Sequence, residues 1–282
     1  MNMMAISLAE IDLDAKFGFY LGRQAIRAWR TPPENGSSCV QIQFIVHPGG
    51  QRSRRLCSMS MWAIVLGVGR DQKLHVGADT AFLPLGSRPA LAHVLCAAEA
   101  CPEVTGIVVV VPPDRIETPA ALRTRYGISK FRVAVPGTEK RLTNLVRALE
   151  QVDPDIGWVA VLETARPVVE GKGLTECWKA AQKGGAASGG RVIEDPVYWV
   201  TGKNVRAPDG KTVVWAVQTP RVYRRDLLES ALSAAARRHA EENDELRWVE
   251  AAGGVLRLVP ISKPAFRLAS ADDLGMAVVL LP

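Results

Sequence analysis

Gly67 and Gly69, followed by Arg70 and Lys73, are the residues of this chain whose types and spacing bear most directly on chemistry. Glycine has no Cβ, so the backbone can turn sharply and lay its N–H groups against phosphate oxygens, while the two cations add positive charge at the same place. The apolar run 62–66 ahead of them reads as a strand. Strand, glycine turn and basic loop suit a nucleotide's phosphates, and equally suit a plain structural turn. Two other phosphate motifs are excluded. A dinucleotide-binding turn needs a small residue three positions after the second glycine, where this chain has Gln72. A Walker pattern needs Gly-Lys-Ser or Gly-Lys-Thr, and neither follows these glycines. His75, in the same loop, is a further candidate for ligand contact.

Composition narrows the partners. The net charge is +6, half of it within residues 1–60, with 48% hydrophobic and 23% charged residues. That mild excess suits a phosphorylated ligand and lacks the basic stripe and interleaved aromatics of a nucleic-acid binder. No apolar run reaches the roughly 20 residues that cross a bilayer, so no membrane partner is expected. The five cysteines are scattered and form no C-x-x-C pair, and the four histidines show no ligand spacing. A reducing cytoplasm fits them best. Glu10, Asp12 and Asp14 near the start argue against a secretory signal.

Elements must then position the loop. From Met61 on, apolar runs alternate with amphipathic stretches, predicting an α/β, Rossmann-like domain over 61–282 with a largely parallel sheet covered by helices. Strands are expected at 63–66, 107–111, 132–135 and 158–162. Helices are expected at 89–100, 120–126, 142–151, 174–182, 225–240 and 271–280. Residues 198–217 read as a protruding β-hairpin arm turning at Pro208-Asp209-Gly210, with Trp199 and Trp215 near its bases. Residues 1–60 read as an N-terminal extension, with a short helix over 22–29 and an alternating run at 40–46.

Several segments in fixed order then carry a resemblance. Leu66-Gly67-Val68-Gly69, Phe82-Leu83-Pro84-Leu85-Gly86, Gly137-Thr138-Glu139-Lys140-Arg141 with Asn144, and Glu163-Thr164-Ala165-Arg166-Pro167 come first. Gln218-Thr219-Pro220, Asn243-Asp244-Glu245, and Phe266-Arg267-Leu268 before Asp272-Asp273-Leu274 follow. Together they make residues 61–282 resemble the 2-C-methyl-D-erythritol 4-phosphate cytidylyltransferases. The resemblance implies a homodimeric nucleotidyltransferase of isoprenoid biosynthesis that uses CTP, Mg²⁺ and a sugar-alcohol phosphate.

On that resemblance Leu66, Gly67, Gly69, Gly137, Thr138, Arg141 and Asn144 hold the nucleotide and Glu163 the metal. Arg166 and Arg267 meet the acceptor, while Arg70, Lys73 and Arg267 supply catalytic charge. The departures fall at the chemistry: Asp71 stands where the family has an arginine and Thr80 where it has a lysine. Glu163 replaces an aspartate, Asn144 a serine and Arg267 a lysine. Two alternatives follow from them. One is a weakened homologue that binds nucleotide or a partner without turnover; the other uses a different nucleotide or acceptor.

Overall fold

The structure is a computed structural model that describes residues 18–21, 24–30, 40–45 and 60–281, apart from 75, 76, 78, 209–211, 241 and 242. His75 and the Pro208-Asp209-Gly210 turn therefore fall wholly or partly outside the described residues. The chain divides into two compact units, Met1–Arg54 and Arg55–Pro282.

The first unit holds three antiparallel strands in the order β1 (Gly18–Leu21), β2 (Gln24–Arg30) and β3 (Val40–Ile45). The alternating run is thus β3, but the helix expected over 22–29 is replaced by a strand. β2 pairs on both sides, Arg27 with Gly18 and Ala25 with Ile45, so its backbone groups find partners across the sheet rather than along a helix.

The second unit begins with β4 (Met61–Leu66). A two-rung ladder, β5 (Pro84–Leu85) with β6 (Arg88–Pro89), leads into α1 (Ala90–Ala100) and β7 (Val104–Val111). Next come α2 (Thr118–Tyr126), β8 (Phe131–Pro136), α3 (Arg141–Leu149), β9 (Trp158–Glu163) and α4 (Gly171–Ala181). The last third contributes β10 (Gly185–Val192), the short pair β11 (Trp199–Thr201) and β12 (Asn204–Arg206), and β13 (Trp215–Arg224). It ends with α5 (Arg225–Arg237), α6 (Glu245–Ala251), β14 (Val255–Pro260) and α7 (Ala271–Leu280).

Seven strands form one sheet in the order β14-β10-β13-β9-β4-β7-β8. β4 lies parallel to β7 and to β9, β7 to β8, and β10 to β14; β13 alone runs antiparallel to its neighbours β9 and β10. Alternating side chains serve opposite faces. Ala63, Val65, Ile107, Val109 and Val111 join Leu95 of α1 and Trp178 of α4 in one apolar layer. Ile64, Leu66, Val108 and Val110 join Leu145 of α3, Leu228 of α5 and Trp248 of α6 in the other. Burial on both faces explains the unbroken Val/Ile run of β7.

Several elements escaped the sequence reading, among them β10, β14, α6 and the part of β13 beyond residue 217. β10 reads Gly-Ala-Ala-Ser-Gly-Gly-Arg-Val, a composition with little strand propensity, yet its first six residues are buried because small residues let neighbours close in. A Cβ at Gly189 would lie 2.8 Å from Ile261 Cγ2, and one at Gly190 2.8 Å from the Ala216 carbonyl oxygen. β14 and α6 were likewise unmarked. The arm is present but shorter than expected: β11 and β12 turn at Gly202, whose φ of 61° favours glycine, and residues 212–214 lie outside any strand.

Candidate functional site

The loop after β4 is held from below by backbone bonds. Gly67 N donates to Val110 O at 2.7 Å, and Leu66 O accepts from the N–H of Thr164 (3.0 Å) and its hydroxyl (3.2 Å). Gly69, with φ 144° and ψ 162°, turns the chain into a short 3-10 segment, Arg70–Gln72. Gln72 folds inward and accepts from Ala165 N at 2.9 Å and Thr164 Oγ1 at 3.3 Å. The turn and the acidic box after β9 are therefore one assembly. Thr80 is fully buried and donates to Gln72 O at 2.9 Å, so the position expected of a lysine belongs to the packing beneath the loop.

A second loop leaves β8 at the same end of the sheet. Gly137 N donates to Val111 O, and a Cβ at Gly137 would sit 2.2 Å from Val68 Cγ1 and 2.6 Å from Val110 Cγ1. Only glycine fits there without repacking. Asn144, fully buried, ties both loops together: its Oδ1 accepts from Thr138 N (2.7 Å) and Thr138 Oγ1, and its Nδ2 donates to Val68 O and Thr138 O. All its hydrogen-bonding capacity is spent on protein, so Asn144 positions loops instead of offering a free group. Lys73 Nζ pairs with Glu139 at 2.7 Å, and Arg70 N donates to Glu139 O. The hydrogen bond and charge of Glu139 raise the Lys73 ammonium above its ordinary range. Arg70 is exposed and faces a separate cavity of about 660 Å³ beside Glu139, Lys140 and His239.

Arg141 is the electrostatic centre. Its side chain is 1% exposed and meets Glu245 through Nε (2.5 Å) and Nη2 (3.0 Å), and Asp71 (2.8 Å) and Glu163 (2.7 Å) through Nη1. Asp71, the residue that departs from the arginine expected there, is thus an internal partner of Arg141. Glu163 ends β9 with Oε1 on Arg141 and Oε2 on Arg166 at 3.1 Å. Burial alone would push its carboxyl up; the charges of Arg141, Arg221 and Arg166 outweigh that and hold it below the usual carboxylate range.

This arrangement does not fit Mg²⁺ resident on Glu163. Both carboxylate oxygens face guanidinium groups, and a hard cation needs oxygens free to point at it. Among the described residues no group of three His, Cys, Asp or Glu is placed to ligate an ion.

Arg221 and Glu245 complete the site and were not singled out as site residues in the sequence. Arg221, on β13, gives Nη1 to Asp244 and Glu245, both at 3.0 Å. Glu245 also accepts from Tyr223 OH at 3.2 Å, and Arg141 and Arg221 hold its carboxyl far below the ordinary range against the cost of burial. Arg221 directly follows Gln218-Thr219-Pro220, and an arginine beside that marker was the available signal. A cleft of about 280 Å³ opens over these groups, lined by Asp71, Glu163, Arg166, Arg221 and Arg267 among others. The structure therefore brings the Gly67, Gly137 and Glu163 segments, Arg166 and Arg267 to one end of the sheet. It leaves Arg70 beside the neighbouring cavity and Lys73 paired outside the cleft. Open α/β sheets collect ligands at the carboxyl ends of their strands.

Comparison with known proteins follows the same residues. The family model for 2-C-methyl-D-erythritol 4-phosphate cytidylyltransferase matches residues 61–282. The enzyme of that name from Desulforamulus reducens is 29% identical over 221 residues, spanning 78% of this chain and 94% of that protein. The one from Geobacillus kaustophilus is 29% identical over 223 residues, spanning 79% and 97%. The crystal structure of the Thermus thermophilus enzyme superposes with a TM-score of 0.61 at 26% identity, over 77% of this chain and 96% of that one. A structure from Anaerococcus prevotii, at 17% identity, shares the fold with a TM-score of 0.69 over 79% and 96%. The chain belongs to the 2-C-methyl-D-erythritol 4-phosphate cytidylyltransferase family.

Proposed function

We propose that this protein transfers CMP from CTP to 2-C-methyl-D-erythritol 4-phosphate and releases pyrophosphate, as a step of isoprenoid biosynthesis. The observation that carries the reading is the meeting of three loops, from the ends of β4, β8 and β9, around one arginine-lined cleft. An oxygen of the acceptor's phosphate attacks the α-phosphorus of CTP, a new P–O–P link forms, the bond to the β-phosphate's bridging oxygen breaks, and pyrophosphate leaves. The attacking phosphate is already anionic, so the protein needs no general base; its work is positioning and charge neutralisation. The Gly67–Gly69 and Gly137–Thr138 loops border the nucleotide, with Arg141 and Asn144 holding those loops in shape. Gly67, Gly137 and Thr138 spend their own N–H groups on Val110 O, Val111 O and Asn144 Oδ1, which leaves the N–H groups of Val68 and Gly69 as backbone donors to phosphate. Arg70 and Lys73 supply charge at the loop's outer edge, Lys73 by exchanging Glu139 for phosphate. Arg166 and Arg267 orient the acceptor. Mg²⁺ enters with the triphosphate as part of the substrate.

A homodimer suits this reading, because Tyr198, Trp199, Val200 and Val205 of the arm are more than half exposed and a second copy would cover them. Cytoplasmic residence suits the free thiols Cys96, Cys101 and Cys177, and among the described residues no helix is long and apolar enough to cross a membrane.

Binding without turnover is favoured by one observation: Asp71 and Thr80 replace two cations, and Arg141 is held by three carboxylates. One experiment separates the readings. Pyrophosphate release is followed with CTP, Mg²⁺ and the acceptor, each omitted in turn. Release that needs all three supports transfer; CTP binding by calorimetry with no release under any combination supports the second reading.

A further inference from the structure

Three guanidinium groups reach the cleft from three separate segments: Arg166 after β9, Arg221 in the middle of β13, and Arg267 ahead of α7. The segments are tied to one another. Arg166 Nη1 donates to Ala265 O at 2.8 Å, Leu268 N to Ala165 O at 2.7 Å, and Ala265 N to Gln218 Oε1 at 2.9 Å. The three cations are thereby set in place before any ligand arrives, although like charges repel. Each retains donors. Arg221 uses Nη1 on Asp244 and Glu245 and Nε on Gln218 O, and its Nη2 has no hydrogen-bond partner among the described residues. Arg166 likewise keeps Nη2, and Arg267 is exposed in the cleft with no ion pair among the described residues.

Resting on the transferase reading above, we propose that Arg221 is the third guanidinium of a phosphate cradle with Arg166 and Arg267. The cradle selects an acceptor bearing a phosphomonoester over the same alcohol without its phosphate. Planar donors from three directions match the oxygens of a phosphate dianion, a geometry for which arginine is better suited than lysine. Burial pulls Arg166 below the usual arginine range; Glu163 opposes this, and the neighbouring charges of Arg221 and Arg267 add to it. An incoming dianion relieves that repulsion. Asp244, Glu245 and the Gln218 carbonyl hold Arg221 through Nη1 and Nε, which leaves Nη2 as the donor for the ligand.

The test uses the full chain and two variants, Arg221→Gln and Arg221→Lys. The lysine keeps a cation against Glu245 if the glutamine variant fails to fold. Acceptor and CTP KM are measured for each, and inorganic phosphate is titrated by calorimetry as an anion probe independent of turnover. The cradle expects acceptor KM to rise about tenfold or more, on the scale of one charged hydrogen bond, with CTP KM within about twofold of the native value. It also expects a matching loss of phosphate affinity. Equal changes in both KM values would mark a purely structural role and overturn the proposal, as would unchanged phosphate affinity in both variants or no phosphate binding by the native protein. If the native protein turns nothing over, weaker phosphate binding by the variants still upholds the cradle, and the transferase reading alone falls.

Discussion

Burying the Arg141 guanidinium removes a cation from water, a cost of several kcal/mol that is offset by Glu245, Glu163 and Asp71 lying within hydrogen-bonding distance. Removing one partner leaves charge stranded. Glu245→Gln should lower stability by about 3–5 kcal/mol in urea unfolding at neutral pH. The pH dependence has a definite sign. Glu245 and Glu163 both titrate below their ordinary value of 4.5 in the folded chain. Their contribution is complete above about pH 4.5 and is lost as pH falls from there through the depressed folded values. Urea midpoints from pH 6 to 3 should fall steeply in the native protein and less steeply in Glu245→Gln; parallel curves would count against the network. Asp71, the most exposed of the three partners, bears on binding as well. It puts a carboxylate at the phosphate turn, so Asp71→Asn should tighten CTP binding about fivefold to thirtyfold, the effect of removing roughly 1–2 kcal/mol of repulsion. Unchanged affinity by calorimetry would place the triphosphate away from this turn.

At the scale of elements, the loop between β8 and α3 depends on Gly137 having no side chain. Gly137→Ala should cost about 1–3 kcal/mol through overpacking against Val68 and Val110, and should weaken CTP binding because Asn144 must shift. An alanine variant with native melting temperature and CTP affinity would show that the loop yields freely. The same elements show what the sequence made legible. β4, β7 and β9 stood out because parallel strands buried on both faces leave continuous apolar runs, the edge strand β8 stood out by its alternating Phe131, Val133 and Val135, and the glycine and Glu163 segments followed at their ends. β10 was hidden because its small residues serve close packing. The pairing of Asp71 with Arg141, 70 positions apart, has no local signature. Neither does Arg221 beside Glu245, where the fold brings charge from β13 against the first residue of α6.

On the whole-molecule scale, the arm, like Met276, Val278 and Val279 of α7, is an apolar feature of the second unit that its own core does not absorb: Trp199 is 55% exposed and Val200 and Val205 about two-thirds exposed. Light scattering should give twice the chain mass, and Trp199→Asp with Val205→Asp should shift the protein toward monomer without unfolding the sheet. A native monomer at micromolar concentration would remove the arm from the account. If the cleft joins CMP to a phosphorylated acceptor, phosphorus NMR of the products will show the new bond. CTP, Mg²⁺ and 2-C-methyl-D-erythritol 4-phosphate incubated with the protein should yield free pyrophosphate and a pair of coupled resonances from a new diphosphate. CTP and the monophosphate persisting unchanged, while calorimetry shows both bound, would contradict it.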